Sequence, residues 1–369
     1  MSMRCPKCGL LYADDARFCT RDGGRLVVFT AGGLPPERPD RLLHAELPGA
    51  GAPTSGADGT PARAISHANL SGHILDARYE IARKLGEGGM SHVYLGQDVA
   101  TKERVAIKIL APSLARDPNA MARLRREAAL GSQLAHPNVC HIVRMGETPD
   151  GLVYVVMPFV EGELLSDRTN RSGTLPLPLT VHFVSEIAAG LDVAHQLKII
   201  HRDLKPENVM IGKRPDGSEF AVVMDFGLAK ERKAGPELEQ LTATGIILGT
   251  PEFMSPEQLR GKPLDARSDV YALALMTYEM LTGKLPFDGP TQQDIMIARL
   301  RQEPIPLSKR SPGKSFPPGV DRAIAKAMQR DAEQRHATAP EFADDLRAAA
   351  TGNGDAPATR SMVERMFRR

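Results

Sequence analysis

The stretch Ile199-Ile200-His201-Arg202-Asp203-Leu204-Lys205-Pro206-Glu207-Asn208-Val209-Met210 sets five ionisable side chains and an amide between two apolar, strand-like pieces. Charges cannot be left scattered in an apolar interior, so a chain carrying this stretch must fold with them gathered at one pocket. Seventeen residues beyond Asn208 comes a second apolar run that ends in a charge, Val222-Val223-Met224-Asp225-Phe226-Gly227. Asp203, Asn208 and Asp225 supply hard oxygen atoms, the ligand type that holds Mg²⁺ while it bridges phosphate oxygens.

Two further segments suit the same chemistry. Leu85-Gly86-Glu87-Gly88-Gly89-Met90-Ser91-His92-Val93-Tyr94 joins two strand-like runs, and its glycines allow backbone amides to approach phosphate without an intervening side chain. Gly-rich hairpins are common, so this loop is weak evidence by itself. The next run, Arg104-Val105-Ala106-Ile107-Lys108-Ile109, alternates so that Lys108 shares a face with Ala106 and Leu110. An inward lysine is costly without an anion. Nineteen residues later Glu127 lies in a helical pattern, on the Leu124, Gly131 and Leu134 stripe where an apolar residue is expected, and a pair with Lys108 is predicted.

Together with Gly249-Thr250-Pro251-Glu252-Phe253-Met254-Ser255-Pro256-Glu257, these motifs resemble the bacterial eukaryotic-like Ser/Thr protein kinases over residues 79–346. The resemblance implies an α+β, bilobal protein-kinase fold with a β-rich N-lobe and a helical C-lobe. It implies that Lys108 grips the α/β-phosphates of ATP and pairs with Glu127. Asp203 would orient the substrate hydroxyl and accept its proton, Lys205 would stabilise the γ-phosphoryl group, and Asn208 and Asp225 would hold Mg²⁺ or Mn²⁺. Gly86, Gly88, Val93 and Ala106 would enclose the nucleotide, with Met157 as gatekeeper and the Val160 N–H facing adenine.

This chain departs from the family pattern twice. Ser91 stands where a third glycine is usual, and Pro158 stands in the hinge where an acid is commoner, although only its carbonyl is needed. Lys205 and Thr250 point to Ser/Thr specificity, with Thr250 expected to touch Asp203 and Lys205. The 33 residues from Asp225 to Glu257 contain Thr242 and Thr244, whose phosphorylation would pair with Arg202. In residues 268–281, Ser268 and Asp269 read as a capping pair, Asp269 would brace the catalytic loop, and Arg335 would pair with Glu257. The resemblance implies protein substrates carrying Ser or Thr, and a homodimer for trans-autophosphorylation. The competing reading is a pseudokinase scaffold that binds nucleotide without turnover; the presence of Lys108, Asp203, Asn208 and Asp225 counts against it.

Outside this region the sequence is sparser. Cys5-Pro6-Lys7-Cys8-Gly9 has the form of a metal knuckle, and Cys19-Thr20-Arg21-Asp22-Gly23 repeats its spacing with a carboxylate in the fourth place. A Zn²⁺ site of Cys5, Cys8, Cys19 and Asp22 is expected, in a ribbon module over residues 1–30 too short to fold without metal. Residues 31–72 hold seven Gly and six Pro, the composition of a disordered linker, and 351–369 reads as a basic tail. Cys140 stands apart as a small buried apolar side chain. Lys and Arg total 47 against 45 Asp and Glu, which argues against nucleic acid as the main partner. A nucleic-acid role for the ribbon would rest on Arg4, Lys7, Arg17, Arg21 and Arg25, with only Tyr12, Phe18 and Phe29 for stacking. The longest apolar runs, 151–160 and 270–278, are too short to span a bilayer, and with no apolar leader a cytoplasmic location is expected.

Overall fold

The computed structural model describes residues 70–88, 91–111, 117–226 and 251–352, and the strand residues 2–4, 11–12 and 27–29. The chain divides into two units, Met1–Arg63 and Ala64–Arg369. In the first, β1 (Ser2–Arg4) pairs antiparallel with both β2 (Leu11–Tyr12) and β3 (Val27–Phe29). Cys5, Cys8, Cys19 and Asp22, the linker up to residue 69, Gly89, Met90, Gly227, Thr242, Thr244, Gly249, Thr250 and the tail beyond Gly352 lie outside the described residues.

The second unit begins with a six-stranded antiparallel sheet: β4 (Ile74–Leu75), β5 (Tyr79–Gly88), β6 (Ser91–Asp98), β7 (Arg104–Leu110), β8 (Arg144–Glu147) and β9 (Val153–Pro158), in the order β4-β5-β6-β7-β9-β8. Strand alternation sends Val105, Ile107 and Ile109 into a core with Tyr79, Ile81, Tyr94 and Tyr154, and turns Ala106 and Lys108 to the opposite face. Leu70 and Leu75 belong to that core, so the folded lobe starts ahead of Tyr79 and includes the end of the expected linker. Average composition over 42 residues conceals one anchoring leucine.

The β4–β5 turn places Asp76 and Ala77 at φ 49° and 52°, the left-handed central pair of a tight β-turn closed by the Arg78 amide on the Leu75 carbonyl at 2.9 Å. The Asp76 carboxylate accepts hydrogen bonds from Arg144 Nη2, at 2.8 Å, and from the Tyr154 hydroxyl. Those partners lie on β8 and β9, at the other end of the strand order, so Asp76 ties the two ends of the sheet together. Across the sheet runs α1 (Pro118–Gly131), capped by Asp117, which accepts from the amides of Asn119 and Ala120 at 2.9 and 3.2 Å. Its Met121 and Leu124 pack with Leu110 and Val153.

The second lobe carries a small sheet, β10 (Gly162–Leu164), β11 (Val209–Lys213) and β12 (Glu219–Val223), and the helices α2 (Leu165–Ser172), α3 (Leu177–Gln196), α4 (Pro256–Leu259), α5 (Ala266–Thr282), α6 (Gln292–Arg301), α7 (Leu307–Arg310), α8 (Pro318–Ala327) and α9 (Ala339–Ala350). Among the described residues α3 is the one helix long and apolar enough to cross a bilayer, which corrects the expectation that 151–160 and 270–278 were the longest candidates. Glu186 and Asp192 interrupt its apolar run in the sequence, whereas the helix continues through them. Phe183, Val184, Ile187 and Leu191 turn inward and join the lobe's core, so α3 is an interior helix of a folded lobe.

At the centre, α5 is buried nearly all round. Its cap is Asp265, which accepts from the Arg267 amide at 2.8 Å; the expected pair Ser268-Asp269 lies in the first turn and points inward instead. Gly283 ends α5 at φ 73°, where a Cβ would come within 2.5 Å of the Gly173 carbonyl oxygen, so only glycine fits. Arg335 reaches Glu257 through two hydrogen bonds of 2.7 Å, and Ser268 adds a third from its hydroxyl, also 2.7 Å. Burial opposes the charge on Glu257, but these donors prevail and hold its carboxyl below the usual range.

Glu279, in the last turn of α5, has the opposite surroundings. Burial, and then the nearby carboxylates of Glu207 and Glu252, push it from 4.5 up to about 7. The folded state therefore holds this proton more tightly than the unfolded chain does. Its stabilising contribution is complete below about pH 4.5 and is lost as pH rises through about 7. Glu279→Gln should remove a loss of about 3 kcal/mol between pH 4.5 and 8, read by urea unfolding at the two pH values. Equal pH slopes for variant and wild type would refute it.

Candidate active site

Lys108 sits in the middle of β7, opposite Val93 on β6 and Val155 on β9. Its side chain is 15% exposed, and Nζ lies 2.8 Å from Asp225 Oδ1. Residues 117 positions apart thus meet where the sheet lobe faces the helical lobe. Lys108 meets Asp225; Glu127, with which a pair was expected, is half-buried on α1. An inward ammonium needs one close carboxylate, and the turn after β12, with Asp225 at φ 57°, delivers it first.

The catalytic loop is held from below by a single carboxylate. Asp269 is almost wholly buried; it accepts the His201 amide at 2.8 Å, the Arg202 amide at 3.0 Å and His195 Nε2 at 2.7 Å. Burial disfavours its charge, yet these donors outweigh that and hold the carboxyl below its ordinary value. The expected bracing of the loop by Asp269 is what these contacts do. His201 Nε2 donates to the Met224 carbonyl at 2.8 Å, so its Nδ1 accepts from the Asp203 amide at 3.3 Å: one neutral tautomer serves both contacts. The ring also meets Phe226 edge-on at 4.8 Å.

Asn208 donates from Nδ2 to the Asp203 carbonyl at 2.7 Å and to its Oδ2 at 3.2 Å, leaving Oδ1 as the atom that can meet a cation. Lys205 Nζ lies 3.5 Å from the same Asp203 Oδ2. Asp203, Lys205 and Asn208 thus form one polar cluster, and Met224, whose amide donates to the Asn208 carbonyl at 2.9 Å, brings the Lys108–Asp225 pair in beside it. The backbone reaches it through two left-handed non-glycine residues, Arg202 at φ 65° and Asp225 at φ 57°. Each costs about 1–3 kcal/mol, which the surrounding hydrogen bonds must offset.

Beside the cluster, Met157, Cys140, Ile142, Val155 and Val222 form an apolar floor, with Ala106, Val160, Met210 and Met224 packed on it. Met210 was missed by sequence reasoning. It alternates with the buried Val209 and Ile211 of β11, which turns its apolar side chain to the opposite face of the strand; that alternation was the available signal. Cys140 behaves as the expected small apolar residue: burial pushes its thiol up to about 12. Arg299 on α6 was also missed. It is fully buried and donates to the carbonyls of Met254 at 3.0 Å and Glu252 at 2.5 Å, fixing the chain just before α4. Nothing in a lone helical arginine announces such a clamp.

The residues suit a Mg²⁺-bound nucleoside triphosphate. Among the described residues a Cβ on Gly86 would meet nothing within 4 Å, so that glycine keeps open the space on the hairpin's face. The carboxylate of Asp225 and the amide oxygen of Asn208 are hard donors, Lys108 is a cation for phosphate, and the apolar floor can take a base.

If Asp269 holds the loop, its loss should loosen that loop locally. Asp269→Ala should raise hydrogen exchange of the His201 and Arg202 amides by about 10- to 100-fold, measured by mass spectrometry, since hydrogen bonds to a buried charge are worth roughly 1.5–3 kcal/mol. Unchanged exchange there would remove Asp269 from this role.

Residues 79–345 match the protein kinase domain. The curated relatives include serine/threonine-protein kinase pkn3 of Myxococcus xanthus, 36% identical over 75% of this chain and 51% of its own length. Pkn2 of the same organism is 41% identical over 75% of this chain and 33% of its length, and PknB of Mycobacterium leprae 39% over 74% and 43%. The chain thus spans between a third and about half of the length of these relatives. Among solved structures, the Mycobacterium tuberculosis PknI kinase domain superimposes with a TM-score of 0.59 at 27% identity, over 76% of this chain and all of that one. The match spans both lobes and the polar cluster between them, and the chain belongs to the protein kinase domain family.

Proposed function

We propose that this chain transfers the γ-phosphoryl group of ATP to Ser and Thr hydroxyls of proteins. The observation that carries the reading is the contact of Lys108 with Asp225 beside the Asp203, Lys205 and Asn208 cluster. That the relatives are named serine/threonine-protein kinases supports the residue specificity.

In this reading Lys108 binds the α/β-phosphates and places the nucleotide relative to Asp225. Bound Mg²⁺ or Mn²⁺, held by Asp225 and Asn208 Oδ1, supplies charge neutralisation on the phosphate oxygens. Asp203 orients the incoming Ser or Thr hydroxyl and takes its proton on the carboxylate. Lys205, already 3.5 Å from Asp203 Oδ2, meets the charge that builds on the transferring group. Ala106, Met157, Val160 and Met210 enclose the adenine and keep water from it. The chemistry is mostly positioning and electrostatics.

Incubation of the chain with labelled ATP, Mg²⁺ and dephosphorylated casein should label Ser and Thr residues. Asp203→Asn should reduce turnover by at least about a hundredfold. Label no greater than that of Asp203→Asn would favour the scaffold reading, and label on Tyr alone would refute the specificity.

Two finer proposals accompany this one. A phosphate on Thr242 or Thr244, added by one copy to another, would pair with Arg202. Thr242→Ala/Thr244→Ala protein should then show no activation on preincubation with ATP; activation equal to wild type would exclude these sites. Cys5, Cys8, Cys19 and Asp22 would hold Zn²⁺, supported by the repeated two-residue spacing. Metal analysis should find about one Zn²⁺ per chain, released by Cys8→Ser; a metal-free wild type would end this idea.

A further inference from the structure

Asp203 is joined to Arg202 by one peptide plane, and that plane is gripped at both ends. Its N–H, on Asp203, is accepted by His201 Nδ1 at 3.3 Å. Its oxygen, on Arg202, accepts from Gln258 Nε2 at 2.7 Å. The preceding plane is already held by Asp269 through the Arg202 amide. Gln258 lies 56 residues away, on the four-residue helix α4, and belongs to a different element from every other support of the loop.

The other end of the Gln258 side chain is engaged too. Its Oε1 accepts from the Ser255 amide at 2.8 Å, and the Ser255 hydroxyl accepts from the Gln258 amide at 3.4 Å, a capping box. Both atoms of one side-chain amide are thus used, one on α4 and one on the catalytic loop. The base from which Gln258 reaches is rigid. Glu257, its neighbour, is locked to buried Arg335, and Arg299 clamps the carbonyls of Glu252 and Met254 just upstream.

We infer that Gln258 is a positioning residue for phosphoryl transfer: it clamps the Arg202–Asp203 peptide plane to α4, so that the direction of the Asp203 carboxylate depends on how the segment ending at α4 is seated. This rests on the kinase reading above. Arg202 is at φ 65°, a conformation that non-glycine residues hold only when contacts over-determine it. Without a donor on its oxygen the plane can turn, and Asp203 turns with it. Glutamate at 258 separates the two ends, since a carboxylate can accept from Ser255 but cannot donate to Arg202.

The test uses the full chain with ATP, Mg²⁺ and casein, and the variants Gln258→Met, Gln258→Glu and Ser255→Ala. Both Gln258 variants should lose about tenfold in kcat, with the KM for ATP unchanged, and should exchange the Asp203 amide faster. Ser255→Ala weakens α4 but leaves the Gln258 donor, so kcat should stay within about twofold of wild type at a comparable loss of Tm. A kcat within about twofold of wild type for the two Gln258 variants overturns the inference. So does an equal kcat loss in Ser255→Ala at equal Tm loss, which would make the effect one of stability alone. If wild type transfers no phosphate, the kinase reading fails by itself, and faster or unchanged Asp203 exchange in Gln258→Met still decides whether the clamp exists.

Discussion

One buried carboxylate sets the geometry of this site. Asp269 accepts two consecutive amides of the catalytic loop and a histidine N–H while almost fully removed from water. An ionised group in that position is tolerable only because every donor is aimed at it before it is buried, and so the donors cannot move without a large penalty. The left-handed backbone at Arg202 is a consequence: the loop must bend back so that adjacent amides face the same carboxylate. The polar cluster of Asp203, Lys205 and Asn208 is built on that bend.

The same strategy recurs around α4 and α5. Glu257 with Arg335, and Arg299 with two backbone carbonyls, are buried charges whose value lies in definition more than in net stability. Desolvation cancels much of the attraction within such pairs, but breaking one strands the other partner. They fix where the polypeptide emerges from the segment before α4, and Gln258 carries that placement to the catalytic loop. Glu279 is the exception: it is partly buried near the carboxylates of Glu207 and Glu252, and its raised pKa is the result.

Legibility of the site in the sequence followed the cost of each residue. Lys108, Asp203, Asn208 and Asp225 stood out because polar and charged groups amid apolar runs have few explanations, and the structure pairs Lys108 with Asp225 and Asn208 with Asp203. Glu127 stood out for the same reason, but a misplaced charge announces the need for a partner without naming it, and Lys108 is met by Asp225. Ser268 and Asp269 resemble a helix cap because both can accept backbone amides; the family resemblance already implied that Asp269 braces the catalytic loop, and only the inward direction of Ser268 shows that it serves Glu257. Leu70, Gln258 and Arg299 left no mark, since a leucine, a glutamine or an arginine in its local pattern is ordinary.

By itself the amino-acid order determined which side chains must be withdrawn from the apolar interior, the alternation that turns Lys108 to one face of its strand, and the family to which 79–345 belongs. Those properties are local or additive, and they survive without knowledge of what lies opposite. The tertiary structure alone decided that Lys108 meets Asp225, where the first lobe begins, and how the peptide plane before Asp203 is held. Each of these depends on distances between residues tens of positions apart, such as the 56 between Arg202 and Gln258. A one-dimensional pattern constrains such distances only through the packing of every element between them.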